Sequence, residues 1–361
     1  MKILSCAYFC SSKKKLTSFF IRFKKRPLVG WAVVFGVLVS CAAPSSPQTE
    51  FVLGTVCSIN LFEYGRPEQY RALFARLREI EDRMSVNKTG TELDAVNEAA
   101  GRAPVPVHPD TYYVVEKALE YARVSGGAFD PTVGPLVKLW GIGTEDAHVP
   151  NPSEIEGALK KIDYKKVLLD SEHHTIYLTE KGMALDLGAI AKGFAADELA
   201  AMLRQWRIRR ALIDLGGNIL VVGEKQDGTP WRIGVQDPRS GRGEYIGIVQ
   251  IKRDKTTVTS GVYERYFEQN GKRYHHILST RNGYPVQNGL LSVTVVADRS
   301  IDADALSTTV FALGYEKGLS LLETLDVGGI FIFENQEVAV TSNLSSQFQL
   351  TNTAYRLRPS R

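Results

Sequence analysis

Cysteine is scarce in this chain, with four in 361 residues, at Cys6, Cys10, Cys41 and Cys57. Two of them fall in an N-terminal stretch that reads as a leader. Neither a disulfide framework nor a multi-cysteine metal site can therefore be built in the body. Several short motifs are missing too. There is no G-x-x-x-x-G-K-[ST] loop and no H-E-x-x-H helix, and G-x-S-x-G is absent. Gly141-Ile-Gly143 lacks the third glycine of a dinucleotide fingerprint. P-loop, zincin, nucleophile-elbow and Rossmann chemistries are thereby disfavoured. No internal repeat is visible.

Acidic residues are missing altogether from residues 1–40, where eight of the 44 Lys and Arg residues lie. The rest of the chain has 36 basic against 40 acidic side chains, a formal −4 where the whole sums to +4. The basic character thus belongs to the leader. A nucleic-acid partner is not expected, because it needs a basic stripe on the folded domain itself. A hydrophobic content of 44% and a charged content of 23% are globular values, which exclude a disordered or collagen-like chain.

The leader has a recognisable grammar. A cationic segment ends at Arg26-Pro27, and an uncharged apolar run follows from Leu28 to Ser40. That run is short for a bilayer span and right for a signal-peptide core. It closes as Leu38-Val-Ser-Cys41, which resembles the bacterial lipobox, where the cysteine becomes the lipidated first residue. The alternative is an ordinary signal peptide with Cys41 incidental. The expected organisation is a lipoprotein signal peptide over 1–40, a flexible tether over 41–50 and one globular domain over 51–361. Localisation follows: a bacterial cell envelope, with the protein anchored to a membrane through Cys41 and facing the periplasm or exterior.

Hydrophobic periodicity gives the coarse fold. Phe51–Phe62 reads as a strand containing Gly54. Helices are expected over 66–84, 109–125 and 193–205, the first burying Leu73, Leu77, Ile80 and Met84. Strands are expected over 211–223, 231–236, 245–251, 255–260 and 291–297. A hairpin over 263–278 is turned by Asn270-Gly271. Helices over 302–313 and 317–325 precede a closing strand pair, 329–333 and 337–342. Early helices followed by hairpin-connected strands predict an α+β domain built on a mainly antiparallel sheet. Cys57 is expected to be a small buried apolar side chain.

Four segments could carry chemistry. Ser125-Gly-Gly-Ala-Phe-Asp-Pro-Thr132 lets the backbone approach a ligand, with Phe129 free to stack on a flat ring; the plainer reading is a helix C-cap and turn. In Leu185–Asp197 a strand is expected to carry Asp186 into a glycine turn. The following helix N-terminus and Lys192 would then suit a phosphate, or the helix is merely capped there. His275 and His276 sit at the end of a hairpin strand, so they point to opposite faces and cannot share a task. Asp304 and Thr308 lie i, i+4 on a helix, opposite a stripe of Leu306, Val310 and Leu313. Carboxylate plus hydroxyl suits a hard cation such as Mg²⁺, and a solvated polar face is the plainer reading.

Together, in order, these segments resemble the ApbE family of periplasmic lipoproteins, the flavin transferases. The resemblance is carried by Leu53-Gly-Thr55, Met84-Ser85, Thr91-Glu-Leu93, Asn97, Gly127-Ala-Phe-Asp-Pro131, Asp186-Leu-Gly188 and Lys192–Asp197. It continues through Asp214-Leu-Gly-Gly-Asn218, Thr259-Ser-Gly261, His276-Ile277 and Asp304–Thr308. It implies a T-fold-like domain that uses Mg²⁺ and FAD, transferring FMN to a Thr or Ser hydroxyl of an acceptor protein and releasing AMP. The acceptor would be a subunit of a membrane redox complex. FAD pyrophosphatase activity and non-catalytic FAD binding are the alternatives. The resemblance implies flavin-nucleotide contacts for Leu53, Asn87, Ala128, Phe129, Asp130, Asp186, Lys192 and Ile277. It implies metal ligation by the Ala189 carbonyl, Asp304 and Thr308, with Ser307 a further candidate, and proton transfer by His276 or Asp186. Two departures stand out: Leu53 replaces a usual Met, and Ser279-Thr-Arg-Asn-Gly283 replaces Asp-Pro-x-Thr-Gly.

Overall fold

In a computed structural model the described residues are 46–62, 65–241 and 243–359. The leader and Cys41 lie outside them. The first secondary structure is a hairpin, β1 (Gln48–Val52) and β2 (Thr55–Leu61). Leu53 and Gly54 turn it, with φ of 57° and 67°. Two successive positive φ values make the tight turn that matches strand twist. This corrects the single strand expected over 51–62, because Gly54 reverses the chain. It also starts the folded domain at Gln48, inside the segment expected to be a tether.

Helix α1 (Pro67–Met84) buries Leu73, Leu77, Ile80 and Met84 as its periodicity predicts. Then come α2 (Glu92–Glu98), a two-residue strand β3 (Val105–Pro106), α3 (Pro109–Val124), α4 (Gly134–Trp140) and α5 (Pro152–Leu159). Strands β4 (Val167–Asp170) and β5 (Thr175–Leu178) form a small sheet with β3. Helix α6 (Ala191–Gln205) precedes β6 (Ala211–Leu215) and β7 (Asn218–Val222). These two are again a hairpin, turned at Gly216-Gly217, where one strand was expected. A Cβ on Gly216 would lie 2.2 Å from Thr55 Oγ1, so this turn is packed against the first hairpin.

Next are β8 (Trp231–Gln236), β9 (Tyr245–Ile251), β10 (Lys255–Gly261), the hairpin β11 (Tyr266–Gln269) and β12 (Lys272–His275), and β13 (Leu290–Ala297). Helices α7 (Ser300–Leu313) and α8 (Tyr315–Thr324) lead to β14 (Gly328–Phe333), β15 (Glu337–Val340), β16 (Phe348–Leu350) and β17 (Arg356–Leu357).

The main sheet has nine strands in the order β1-β2-β6-β7-β10-β13-β14-β15-β17, antiparallel except for the last pair. This is the α+β, mainly antiparallel architecture read from the sequence. Both faces of its centre are covered. Val293 and Val295 of β13 and Phe331 of β14 face α7 and α8. Their alternates Val296, Ile330 and Ile332 face the three-stranded sheet β16-β9-β8, through Trp231, Ile233 and Val249. Period-two alternation with apolar residues on both sides explains the unbroken apolar runs of β13 and β14. Cys57 is fully buried, and burial pushes its thiol up to about 12. Among the described residues no helix is long and apolar enough to cross a membrane.

Candidate active site

The site begins where α6 meets α7. A Cβ on Gly193 would come 2.2 Å from the Ser300 carbonyl oxygen, so only glycine permits this approach. Asp197, one turn further along α6, accepts the N–H groups of Ser300 and Ile301 at 2.8 and 3.0 Å. It thereby satisfies the first free amides of α7 from outside that helix. Held this close, the Gly193 N–H donates to Asp304 Oδ2 at 2.8 Å. Gly193 is in the first turn of α6, whose N-cap is Ile190, so that amide has no partner within the helix. Phe194 N–H does take its i−4 partner, Ile190. Ala189 is left with a carbonyl that receives no backbone N–H among the described residues.

Three oxygens are candidates for one cation: the Ala189 carbonyl, Asp304 Oδ1 and Thr308 Oγ1, the last one helical turn from Asp304. Asp304 is 4% exposed, and its Oδ1 lies 3.9 Å from Lys192 Nζ. Burial pushes the Asp304 carboxyl up; Lys192 and the Gly193 N–H pull against it. A carboxylate, a carbonyl and a hydroxyl are the donors a hard cation takes. Among the described residues no cluster of three or more His, Cys, Asp or Glu side chains could hold a metal. A site here has one carboxylate, which suits a cation that shares its shell with phosphate oxygens and water. Ser307 is fully buried behind Thr308 and turns its hydroxyl to Ser260 and to the Asp304 carbonyl. Contrary to the simple two-face picture, α7 is buried on most sides, and Leu313 of the expected core stripe is only half-buried, as are Asp302, Thr308 and Ala312.

Asp186 is in no strand, correcting the expectation. It lies in an irregular segment pinned by the Asn97 amide, which donates to Leu185 O at 3.0 Å and accepts from Leu185 N at 2.7 Å. The Asp186 N–H donates to Pro131 O, and its Oδ1 accepts from Gly188 N at 2.7 Å. Burial pushes the Asp186 carboxyl up, while that amide, Arg265 and Lys192 counter it. Lys192 Nζ donates to Gly188 O at 3.1 Å, across the same turn.

His275 and His276 diverge as the strand geometry requires. His275 is buried, with Nε2 2.9 Å from Val286 O and Nδ1 accepting from Ile277 N. It is structural. His276 is half-buried, with Nδ1 3.2 Å from Arg265 O. A carbonyl only accepts, so Nδ1 carries the proton and Nε2 keeps a free lone pair. Burial and then the Arg265 charge push the His276 imidazole well below its ordinary value. It is therefore neutral, with the Nε2 lone pair unprotonated.

The 125–132 loop closes another side. Phe129 is buried edge-on to Tyr121, whose hydroxyl donates to Asp302 at 2.8 Å. Asp130 is also buried. Its carboxylate accepts from Thr132 N and Oγ1 and from Tyr164 N, so it organises the loop. Ala128 is partly accessible, and the neighbouring Gly127 carbonyl accepts from Thr280 Oγ1 at 2.6 Å. Ile277 is buried in the core beside α7. Leu53 sits half-buried at the hairpin turn, and Asn87 is exposed after α1. Arg265 reaches toward that turn: its guanidinium would lie 3.7 Å from a Cβ on Gly54. A cleft of about 430 Å³ lies along Tyr274, Ser279, Tyr284, Asn288 and Ala312. Ala312 is one turn of α7 beyond Thr308, so this cleft adjoins the oxygen cluster and is not centred on it.

Sequence reasoning therefore gathers Asp186, Lys192, His276, Asp304 and Thr308 into one region. It misses Arg265 and Asp197, and the bond between the Gly193 N–H and Asp304 beside the Ala189 carbonyl it did name. Asn97 and Ser260 stood within recognisable motifs, but their roles depend on partners distant in sequence.

Comparison with known proteins gives the family and the fold. The ApbE family model matches residues 53–331. The chain is 38% identical over 361 residues to the FAD:protein FMN transferase of Treponema pallidum (strain Nichols), covering 92% of this chain and 99% of that protein. A FAD:protein FMN transferase of Klebsiella pneumoniae (strain 342) is 38% identical over 307 residues, covering 85% of this chain and 95% of the relative. Among solved structures, the ApbE protein of Thermotoga maritima superposes with a TM-score of 0.77 at 32% identity, covering 84% of this chain and 98% of that one. The flavin transferase ApbE from Vibrio cholerae gives 0.74 at 27% identity, covering 84% and 98%. Matched along nearly its whole described length in sequence and in fold, the chain belongs to the ApbE family.

Proposed function

We propose that this protein is a FAD:protein FMN transferase that moves the FMN half of FAD onto a Thr or Ser hydroxyl of an acceptor protein and releases AMP. The observation that supports the reading is Asp304, with one oxygen on the Gly193 N–H and the other 3.9 Å from Lys192 Nζ, one helical turn from Thr308, and with the Lys192 charge reaching His276. The Ala189, Asp304 and Thr308 oxygens would hold Mg²⁺, which when bound neutralises charge on the pyrophosphate. Lys192 adds a positive charge where phosphoryl oxygens and departing AMP become more negative. His276 Nε2 accepts the proton of the attacking hydroxyl. The new bond joins the hydroxyl oxygen to the flavin-side phosphorus, and the bond from that phosphorus to the AMP oxygen breaks. Asp186, held beside Lys192, is the second candidate base.

The −4 of the chain beyond residue 40 supports this economy of local charge, since no broad basic surface is needed. We further propose that Cys41 is lipidated and tethers the domain to a bacterial envelope membrane, facing the periplasm or exterior. The acceptors are then membrane-associated redox subunits on the same side. The lipobox-like end of the apolar run supports this.

The test is incubation of the chain with FAD, Mg²⁺ and an acceptor fragment, with AMP release and acceptor mass measured. An acceptor heavier by FMN, with one AMP per transfer, is expected. AMP with free FMN instead makes the protein a FAD pyrophosphatase. Bound FAD with no AMP makes it a flavin carrier.

A further inference from the structure

The hydroxyls of Thr308, Ser260 and Ser307 form a chain whose proton order follows from counting. Ser307 Oγ donates to the Asp304 main-chain carbonyl at 2.9 Å. A hydroxyl has one proton, so Ser307 has none left to give. Ser260 Oγ, 2.8 Å from Ser307 Oγ, must be the donor of that pair. Its own proton is then used, and Thr308 Oγ1, 3.1 Å from Ser260 Oγ, must donate to it. The Thr308 proton therefore points at Ser260, and its lone pairs are left clear of it.

The fold places Ser260 for this. Along β10, Thr256, Val258 and Ser260 share the face toward α7, whereas Thr259 pairs with Thr294 across the sheet. Thr256 meets Ser300 at the start of α7, and Ser260 meets Ser307 and Thr308 further along it. Four strand residues rise about 13 Å and seven helix residues about 10.5 Å, so strand and helix stay in step over this length. The Thr256 contact already fastens strand to helix, so the Ser260 contact is available for another task.

We infer that Ser260 is a positioning residue, one that holds the Thr308 proton on the strand side and thereby presents Thr308 Oγ1 as a ligand to a divalent cation. This rests on the metal reading given above. A hydroxyl ligates through a lone pair, and a proton turned into the site would oppose a cation. Outer partners that orient a ligand in this way change metal affinity by about 10- to 100-fold when removed.

The test compares Ser260→Val with Ser260→Thr, which have the same shape and differ in the hydroxyl. Mn²⁺ is titrated into the purified full chain with FAD present, and free Mn²⁺ is read from its electron paramagnetic resonance signal. Ser260→Val is expected to weaken Mn²⁺ binding about 10-fold or more, and Ser260→Thr to stay near the parent. FAD binding in EDTA is expected to be alike in all three. Ser260→Ala, which adds no volume, is expected to follow Ser260→Val. Equal Mn²⁺ affinity in Val, Ala and Thr variants, with Asp304→Ala losing it, overturns the role of Ser260 and leaves the metal site standing. Parent-like Mn²⁺ affinity in Asp304→Ala overturns the metal site itself.

Discussion

The main-chain amide of Gly193 donates to the carboxylate of Asp304 at 2.8 Å, across 111 positions of sequence. That one bond satisfies an amide of the first turn of α6 that has no partner within the helix, and fixes one oxygen of Asp304 while leaving the other open. It depends on a helix approach that a single methyl group would block, since a Cβ on Gly193 falls 2.2 Å from Ser300 O. Gly193→Ala is expected to destabilise the fold by about 1–3 kcal/mol and to weaken divalent-cation binding together with it. Urea denaturation and Mn²⁺ titration read the two effects; parent-like values in both would show that the helices separate freely.

Asp304 is the only carboxylate among the three candidate oxygens. Asp304→Ala is expected to abolish FMN transfer and to weaken FAD binding only modestly, because the pyrophosphate loses its counter-charge and the rest of the nucleotide keeps its contacts. Flavin fluorescence titration and AMP release separate these. Full activity in the variant at saturating Mg²⁺ would sink the assignment.

His276 acts on a proton in this scheme and does not hold the nucleotide. His276→Ala is expected to slow transfer by roughly 100- to 10,000-fold with FAD affinity near that of the parent. Unchanged single-turnover rates would remove it from the mechanism and point to Asp186.

The pH dependence has a definite sign. His276 serves as base when neutral, and burial with the Arg265 charge pushes its pKa down. Activity is then kept at pH 6.5 and lost only as pH falls through the lowered value. The acid limb of kcat/KM, which reports the free enzyme, is expected below pH 6.5. Arg265→Gln removes one of the charges that lower the pKa and keeps the carbonyl that fixes Nδ1, so the limb should move toward neutral pH. A parent limb at or above 6.5, unmoved by that substitution, would contradict the assignment.

Asp197 caps α7 from a neighbouring helix through the amides of Ser300 and Ile301. Asp197→Ala is expected to cost about 0.5–2 kcal/mol, measured by thermal denaturation. Loss of cation affinity beyond that shared by Gly193→Ala would indicate a direct part in the site.

Much of the fold was legible because its signals are local. The apolar stripe of α1, the Asn270-Gly271 turn and the order of helices before hairpins each depend on residues within a few positions. The errors came where one residue decides direction: Gly54 and Gly216-Gly217 break apparent long strands into hairpins, and period-two patterns run unchanged through both arms. Helices α2, α4 and α5 were missed because at seven or eight residues they hold barely two turns of periodicity.

The sequence by itself determined the α+β class, the divergence of His275 and His276 and the i, i+4 spacing of Asp304 and Thr308, since spacing along a strand or helix sets which side chains share a face. Only the tertiary structure decided which oxygens are free. Asp130 has the same carboxylate as Asp304, but Thr132 and Tyr164 satisfy it, whereas Asp304 receives a backbone amide on one oxygen alone. The partners that make that difference lie as far as 111 residues away, and they meet because α6 and α7 cross at a glycine.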